Sequence, residues 1–354
     1  MRVLFLAPYP ADESPSQRYR LEHYFSFLSA KGVQYDYKPF LNLSTWKVIF
    51  KPGHYFKKVA GILLGFCKRI FQLFLLGRYD FVYIHREATP LGPPFFEWIA
   101  AKLFRKKIIY DFDDAIWIPF TSAYNKRASS LKNFGKVAKI CRWSYKISVG
   151  NEYLAAFARK YNTRVIVIPT VVNTETVHNR LQDQQTIKPS IGWTGTFSTL
   201  KYLDMVLPVL QDLQSSYEFS FSVIADKDPK LPLKNYQFIK WSRNNEAVDL
   251  LNFHIGLMPL YDDEISKGKC GFKAIQYMSL GIPAIVSPVG VNTAIVDEGI
   301  NGFIVSTPDE WKGKIELLLT NTELRFAMGK AARGKIEEKY SVKATEQLFF
   351  ELFQ

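Results

Sequence analysis

The stretch "HIGLMPLYDDEISKGKCGFKAIQYMSLGIPAIVS", residues 254 to 287, decides the fold. It opens on a short apolar run, 254–260, and breaks at a glycine-containing loop from Ser266 to Gly271. From about Phe272 to Leu280 the spacing predicts a helix, and Gly281 and Pro283 stop it before the apolar run 283–287. Short buried runs separated by a helix imply parallel strands in a sheet covered on both faces.

Within the predicted helix, Phe272, Ile275 and Met278 lie three apart and are expected to face the core, whereas Lys273 and Gln276 are expected to turn away from it. Lys269 sits in the loop just ahead. A strand-to-helix loop aims backbone N–H groups and the positive end of the helix dipole at an incoming anion. With Gly271, Lys269 and Lys273 it becomes a candidate seat for a diphosphate. The plainer reading is a pair of solvated lysines on an amphipathic helix, the commoner fate of any lysine.

The same grammar runs through the chain. Strands are expected at 2–7, 35–40, 81–85, 107–112, 146–150 and 165–169, with helices between most of them. The pattern lapses over the polar stretch 172–190 and restarts with strands at 190–195, 219–225, 236–241, 254–260, 283–287 and 302–305. Two helices, "PDEWKGKIELLL" and "NTELRFAMGKAARGKIEEKY", close the pattern. The fold class is therefore α/β, two doubly wound Rossmann-like domains in tandem: residues 1–171, a linker 172–190, and residues 191–334, followed by a C-terminal helix, 335–354, returning to the first domain. A length of 354 residues supports two cores.

Composition narrows the partners. Lys and Arg total 46 against 33 Asp and Glu, a formal charge of +13, which favours an anionic partner: nucleic acid, phosphate-rich small molecules or an acidic membrane. Cys67, Cys141 and Cys270 are too few and scattered for a disulfide framework or a zinc site, and fit a reducing cytoplasm. The start "MRVLFLAPYP" lacks signal-peptide features, and no window holds 18 uncharged apolar residues, so neither secretion nor spanning is expected. No G-x-G-x-x-G follows the first strand, which argues against a nicotinamide-dependent dehydrogenase. Nor does any helix-turn-helix, zinc or RNP-like signature support a nucleic-acid-binding protein.

Ligands of doubly wound sheets lie outside the carboxyl ends of the strands, so the loops there carry the chemistry. "IGWTGTFSTLKYLDMVLPVL" (191–210) gives a strand, a small-residue turn and a helix from near Leu200. "DFDDAIW" (111–117) concentrates three carboxylates at a strand end. Asp111 and Asp113 form a D-x-D pattern suited to Mg²⁺ or Mn²⁺, and Asp114 could equally be a helix N-cap. In "PADESPSQRYR" (10–20), Arg18 and Arg20 could grip an anion or decorate a helix start; His85, Arg86 and Glu87 follow another strand. Glu246 and Asp249 read as a surface helix.

"YFKKVAGILLGFCKRIFQLFLL" (55–76) places Val59, Ile62, Leu63, Phe66, Ile70, Leu73 and Phe74 on one stripe, interrupted by Lys57, Lys58, Lys68 and Arg69. This is either a core-packing helix of the first domain or a basic amphipathic helix lying in an anionic interface.

Residues 268–305, "GKCGFKAIQYMSLGIPAIVSPVGVNTAIVDEGINGFIV", resemble the donor-binding segment of GT-B glycosyltransferases. The resemblance is to the family-four group, which also contains glycogen and sucrose-phosphate synthases and many bacterial polysaccharide and glycolipid transferases. It implies two domains facing each other across a cleft, a nucleotide-diphosphate sugar as donor with no cofactor or metal, a glycan or lipid-linked acceptor, and retention of configuration. The residues themselves give the remaining expectations: a cytoplasmic protein from its cysteines, peripheral contact with anionic membrane as one reading of the helix 55–76, and no nucleic-acid partner.

Carried onto this sequence, the resemblance makes Lys273 the chief catalytic cation, supported by Lys269 and Lys201, with Thr196 and Ser198 approaching the diphosphate from the turn after the strand 190–195. Asp113 and Asp114 become candidates to position or deprotonate an acceptor hydroxyl. Typical members carry two glutamates that contact sugar and ribose; those positions are Gly268 and Gln276 here. Gln276 could still bond a ribose hydroxyl, and a catalytically silent homologue is the alternative.

Overall fold

A computed structural model describes residues 1–119, 132–186 and 188–354. The chain divides into two compact units: unit 1 comprises Met1–Pro169 and Glu346–Gln354, and unit 2 comprises Thr170–Thr345.

Unit 1 is built on a six-stranded parallel sheet in the order β2-β1-β3-β4-β5-β6. Its strands are β1 (Arg2–Ala7), β2 (Gln34–Pro39), β3 (Phe81–His85), β4 (Lys107–Phe112), β5 (Lys146–Val149) and β6 (Val165–Val167). β1 and β3 are buried on both faces, as their unbroken apolar runs require. The last residues of the chain close this core. Phe349 stacks on Tyr24 at 4.0 Å, and Phe353 meets Phe5 and Phe81 edge-on.

Unit 2 repeats the design with β12-β11-β10-β7-β8-β9, again all parallel. These are β7 (Ser190–Gly195), β8 (Ser220–Ala225), β9 (Tyr236–Lys240), β10 (Ile255–Met258), β11 (Ala284–Val286) and β12 (Gly302–Ile304). Counted within the unit, the order is that of the dinucleotide-binding sheets, and chain direction across the sheet reverses between β7 and β10. The helix Pro308–Thr320 starts on a capping box, in which the Thr307 hydroxyl accepts from the Glu310 amide and the Glu310 carboxylate accepts from the Thr307 amide. The polar stretch after β6 lies on unit 2: Val172 bridges Ser341, and Arg325 donates to the Thr186 carbonyl at 2.7 Å.

Close packing at the reversal leaves no room for side chains on two strand residues. A Cβ on Gly192 would stand 2.0 Å from the Phe253 ring, and one on Gly256 2.2 Å from Tyr277. The Tyr277 hydroxyl accepts from the Thr194 amide of β7 at 2.9 Å and donates to the Leu257 carbonyl of β10 at 3.4 Å. One side chain thereby ties together the two strands whose ends frame the reversal.

Candidate functional site

In unit 2 the loops after β7 and β10 hold the sequence candidates. β7 ends at Gly195, where a Cβ would meet Trp193 at 2.4 Å, so the chain turns sharply into the 3₁₀ helix Phe197–Met205. Helical structure thus begins three residues before the expected Leu200, with the α-helix proper running Leu207–Ser216. Thr196, Ser198 and Lys201 are all exposed, and the two hydroxyls of the turn lie 2.9 Å apart.

After β10 the short helix Glu264–Lys267 is capped by Asp263, whose carboxylate accepts from the Ser266 amide at 2.7 Å. Burial opposes its ionisation. The Ser266 hydrogen bonds and the charges of Lys201 and Lys269 outweigh burial and hold the Asp263 carboxyl below the usual carboxylate range. Both lysines therefore act at one carboxylate, although one belongs to the β7 loop and the other to the β10 loop.

Gly271 then adopts φ +65° at the N-cap of the helix Phe272–Ser279, with no side chain capping that end. A Cβ there would lie 2.1 Å from the end of the Ile295 side chain, which would have to shift, and the left-handed backbone disfavours any larger residue. Lys273 follows on the first turn, with its ammonium 5.6 Å above the Trp193 ring. Burial first, and the like charge of Lys269 second, push the Lys273 ammonium down to about 7. No carboxylate contributes to that shift.

Gln276 departs from expectation. Instead of turning outward it is buried, and its amide donates to Glu246 Oε1 at 3.1 Å. Glu246 is itself buried at the start of the helix Glu246–Leu250, so it is not the surface residue the sequence predicted. Ala274, Ile275, Tyr277 and Met278 are all buried too, because the helix 272–279 is covered on nearly every side. Phe272, expected in the core, is only half-buried.

Unit 1 has its own cluster at the ends of β3 and β4. An unbroken chain of polar contacts runs from Arg20 through Asp111, His85, Ser16 and Asp113 to Arg86. Arg20 Nη2 and His85 Nδ1 both meet the Asp111 carboxylate, the latter at 2.7 Å. His85 Nε2 lies 2.9 Å from Ser16 Oγ, which donates to Asp113 Oδ2 at 2.6 Å. Arg86 closes the chain, 2.8 Å from Asp113 Oδ1, and holds a left-handed backbone at φ +59°.

This cluster corrects several sequence expectations. Arg20 is 1% exposed and bound to Asp111, Ser148 and the Ile168 carbonyl, so it is an internal strut and not a surface grip. Arg18 is buried as well, with its guanidinium 4.9 Å from the Tyr19 ring. The two D-x-D carboxylates pair with different arginines, and among the described residues no three His, Cys, Asp or Glu side chains are grouped to hold a metal ion. Asp114 caps a turn, accepting from the Ala115 amide at 3.0 Å, and no helix follows it up to residue 119. Burial raises the Asp113 carboxyl, but Arg86, His85 and the Ser16 hydroxyl overcome that and hold it far below the usual range. Such a carboxylate is suited to orienting a hydroxyl and is a weak base for deprotonating one.

Sequence reasoning missed Ser16 and gave Glu246 the wrong place. The signal for Ser16 was its position after β1, beside the sheet's own reversal between β1 and β3.

Comparison with known proteins shows that the fold is the GT-B fold of glycosyltransferases. Similar structures include sucrose-phosphate synthase from Thermosynechococcus elongatus, 12% identical, with TM-score 0.70 over 100% of this chain and 98% of that one. A glycosyltransferase from Rickettsia africae is 13% identical, with TM-score 0.71 over 99% and 97%. Anabaena HepE, solved in complex with UDP and glucose, is 13% identical, with TM-score 0.64 over 99% and 98%. Residues 188–335 match the family model of the glycosyl transferases group 1, which spans most of unit 2. Residues 188–335 therefore carry a glycosyl transferases group 1 domain. No curated relative matches by sequence.

Proposed function

We propose that the enzyme transfers a sugar from a nucleotide-diphosphate sugar to an acceptor hydroxyl, with retention of configuration and without an essential metal. The acceptor is a bacterial glycan or lipid-linked precursor met at the inner face of the cytoplasmic membrane. The observation that carries the donor assignment is the convergence of Lys201, Lys269 and Lys273 on one strand reversal of a group 1 domain, beside a helix entry whose left-handed backbone favours glycine. That HepE was solved with UDP and glucose supports the same donor class.

Chemically, charge grows on the diphosphate as its bond to the sugar lengthens, so a preorganised cation stabilises the transition state more than the ground state. Lys273, held near neutrality by burial and by Lys269, gains most from an arriving diphosphate, which restores the proton that those surroundings disfavour. Retention and independence from metal rest on the family resemblance.

A thermal-shift panel of UDP-, GDP- and ADP-sugars, followed by product analysis with the best stabiliser, tests the reading. Stabilisation by one of them and loss of that stabilisation in Lys273→Ala are expected; no shift from any nucleotide sugar refutes it. The second reading, a homologue that binds donor without turnover, is favoured by the burial of Gln276 on Glu246 where similar enzymes carry a glutamate. Stabilisation without product would select it.

A further inference from the structure

The helix Tyr55–Leu75 is mounted the wrong way round for a soluble protein. Its buried residues are Gly61, Gly65, Arg69 and Gln72; Ile62, Phe66, Leu73 and Leu75 are half-buried at its edges, and its other large apolar side chains point outward. Phe56 is 95% exposed, Phe74 78% and Phe71 65%, and Val59, Leu63 and Ile70 are exposed alongside them. An apolar face of this extent on one helix is the signature of an interaction surface and not of ordinary surface scatter.

The orientation is fixed by the inner face. A Cβ on Gly61 would stand 2.1 Å from Thr45 Oγ1, and one on Gly65 2.6 Å from the Phe40 ring, so the helix backbone lies flush on unit 1. Arg69 bolts it down, donating to the carbonyls of Ala88 at 2.7 Å, Lys38 at 3.0 Å and Ala7 at 3.2 Å, and to Gln72 Oε1 at 2.8 Å. Rolling the helix to bury its phenylalanines would strand that guanidinium. Arg69 therefore leaves the group of basic residues that the sequence placed beside the apolar stripe.

By length and composition, Tyr55–Arg78 could cross a membrane. Being clasped along one side by the folded unit, it can instead only lie along a surface. The neighbouring helix Phe95–Trp98 packs against it and exposes Phe95 and Trp98, with Leu103 exposed just beyond.

Charge identifies the occupant. Apart from the buried Arg69, the chain from Phe40 to Tyr79 contains Lys47, Lys51, Lys57, Lys58, Lys68 and Arg78 and not one Asp or Glu. Lys51, Lys57 and Arg78 are exposed at the two ends of the helix, and Lys102 and Arg105 flank the exposed Leu103. A second copy of this chain would bring the same positive field against itself, whereas anionic headgroups would neutralise it while acyl chains take the aromatic side chains.

We propose that this face of unit 1 docks in plane on an anionic lipid bilayer. The inference deepens the lipid-linked reading of the acceptor, on which it rests for its purpose and not for its physics.

The test is co-sedimentation of the full chain with phosphatidylcholine vesicles and with phosphatidylcholine/phosphatidylglycerol vesicles, at low and high salt. Retention on the anionic vesicles, weakened by salt, is expected. Phe71→Asp/Phe74→Asp should reduce it on the order of tenfold or more. Lys51→Glu/Lys57→Glu should bring it to the level seen with neutral vesicles, and because both residues are exposed this variant decides the matter if the first fails to fold.

A chain that stays in the supernatant with both vesicle types overturns the proposal. So does equal binding to neutral and anionic vesicles, or a solution dimer that Phe71→Asp/Phe74→Asp dissociates. Vesicle binding by a protein that transfers no sugar would leave this surface standing and refute the proposed reaction, while transfer to a soluble acceptor without vesicle binding would do the reverse.

Discussion

The two strand reversals of this molecule occupy equivalent places in similar sheets and treat charge in opposite ways. In unit 1, Arg20 is answered by Asp111 and Arg86 by Asp113, with His85 and Ser16 bridging the two pairs. In unit 2, Lys273 meets burial and another lysine, and its ammonium falls to about 7. One cluster satisfies itself. The other, in the proposed reaction, is relieved by an arriving diphosphate.

The comparison is broken most severely by removing an arginine of the self-satisfied cluster. Arg20→Ala leaves Asp111 as a buried carboxylate that has lost its arginine, and should cost unit 1 about 3–5 kcal/mol in urea denaturation. If nucleotide-sugar binding survives under conditions where the protein stays folded, the two clusters are independent, as their different chemistry requires.

Lys273→Ala makes the complementary cut. It should lower kcat by about 10²- to 10³-fold with the protein still folded, as for removal of one preorganised donor. Single-turnover kinetics on purified protein would measure it, and a variant within a few-fold of the parent would remove Lys273 from the chemistry.

A smaller effect is expected at the buried pair beside it. Glu246→Ala leaves the Gln276 amide buried without its acceptor and should destabilise the protein by about 1–3 kcal/mol, read by thermal or urea unfolding. A parallel loss of donor affinity would mean that the carboxylate also reaches the nucleotide.

The smallest effect has the clearest sign. The folded-state Lys273 titrates near 7 and the unfolded side chain near its ordinary 10.5, so between those values the unfolded chain binds more protons and this lysine's contribution makes stability rise with pH. The proposed donor binding needs the protonated form, so affinity for the nucleotide sugar that stabilises the protein should fall as pH rises through 7, with proton uptake on binding seen by calorimetry in buffers of different ionisation enthalpy. Lys269→Ala removes the like charge and should move that fall to higher pH.

The strands and their loops were legible because their signals are local. The apolar runs, Gly271, Gly281 and Pro283 punctuate the chain within a few residues of where the structure turns. What was not legible depended on partners far along the chain. Arg20 is interior because Asp111 arrives 91 residues later, and Gln276 is interior because Glu246 comes from a helix 30 residues earlier. A polar residue on a periodic helix reads as outward unless such a partner is known. The helix 55–75 shows the converse: its apolar stripe suggested an inward face, while Gly61, Gly65, Arg69 and Gln72, spaced four, four and three apart, marked the side that packs.

The most direct measurement is a crystal structure with the nucleoside diphosphate of the stabilising donor bound. The account predicts a β-phosphate oxygen within hydrogen-bonding distance of Lys273 Nζ, about 3 Å, at the entry of the helix Phe272–Ser279. Nucleotide bound elsewhere, with the Lys273 ammonium still resting on Trp193, would contradict it.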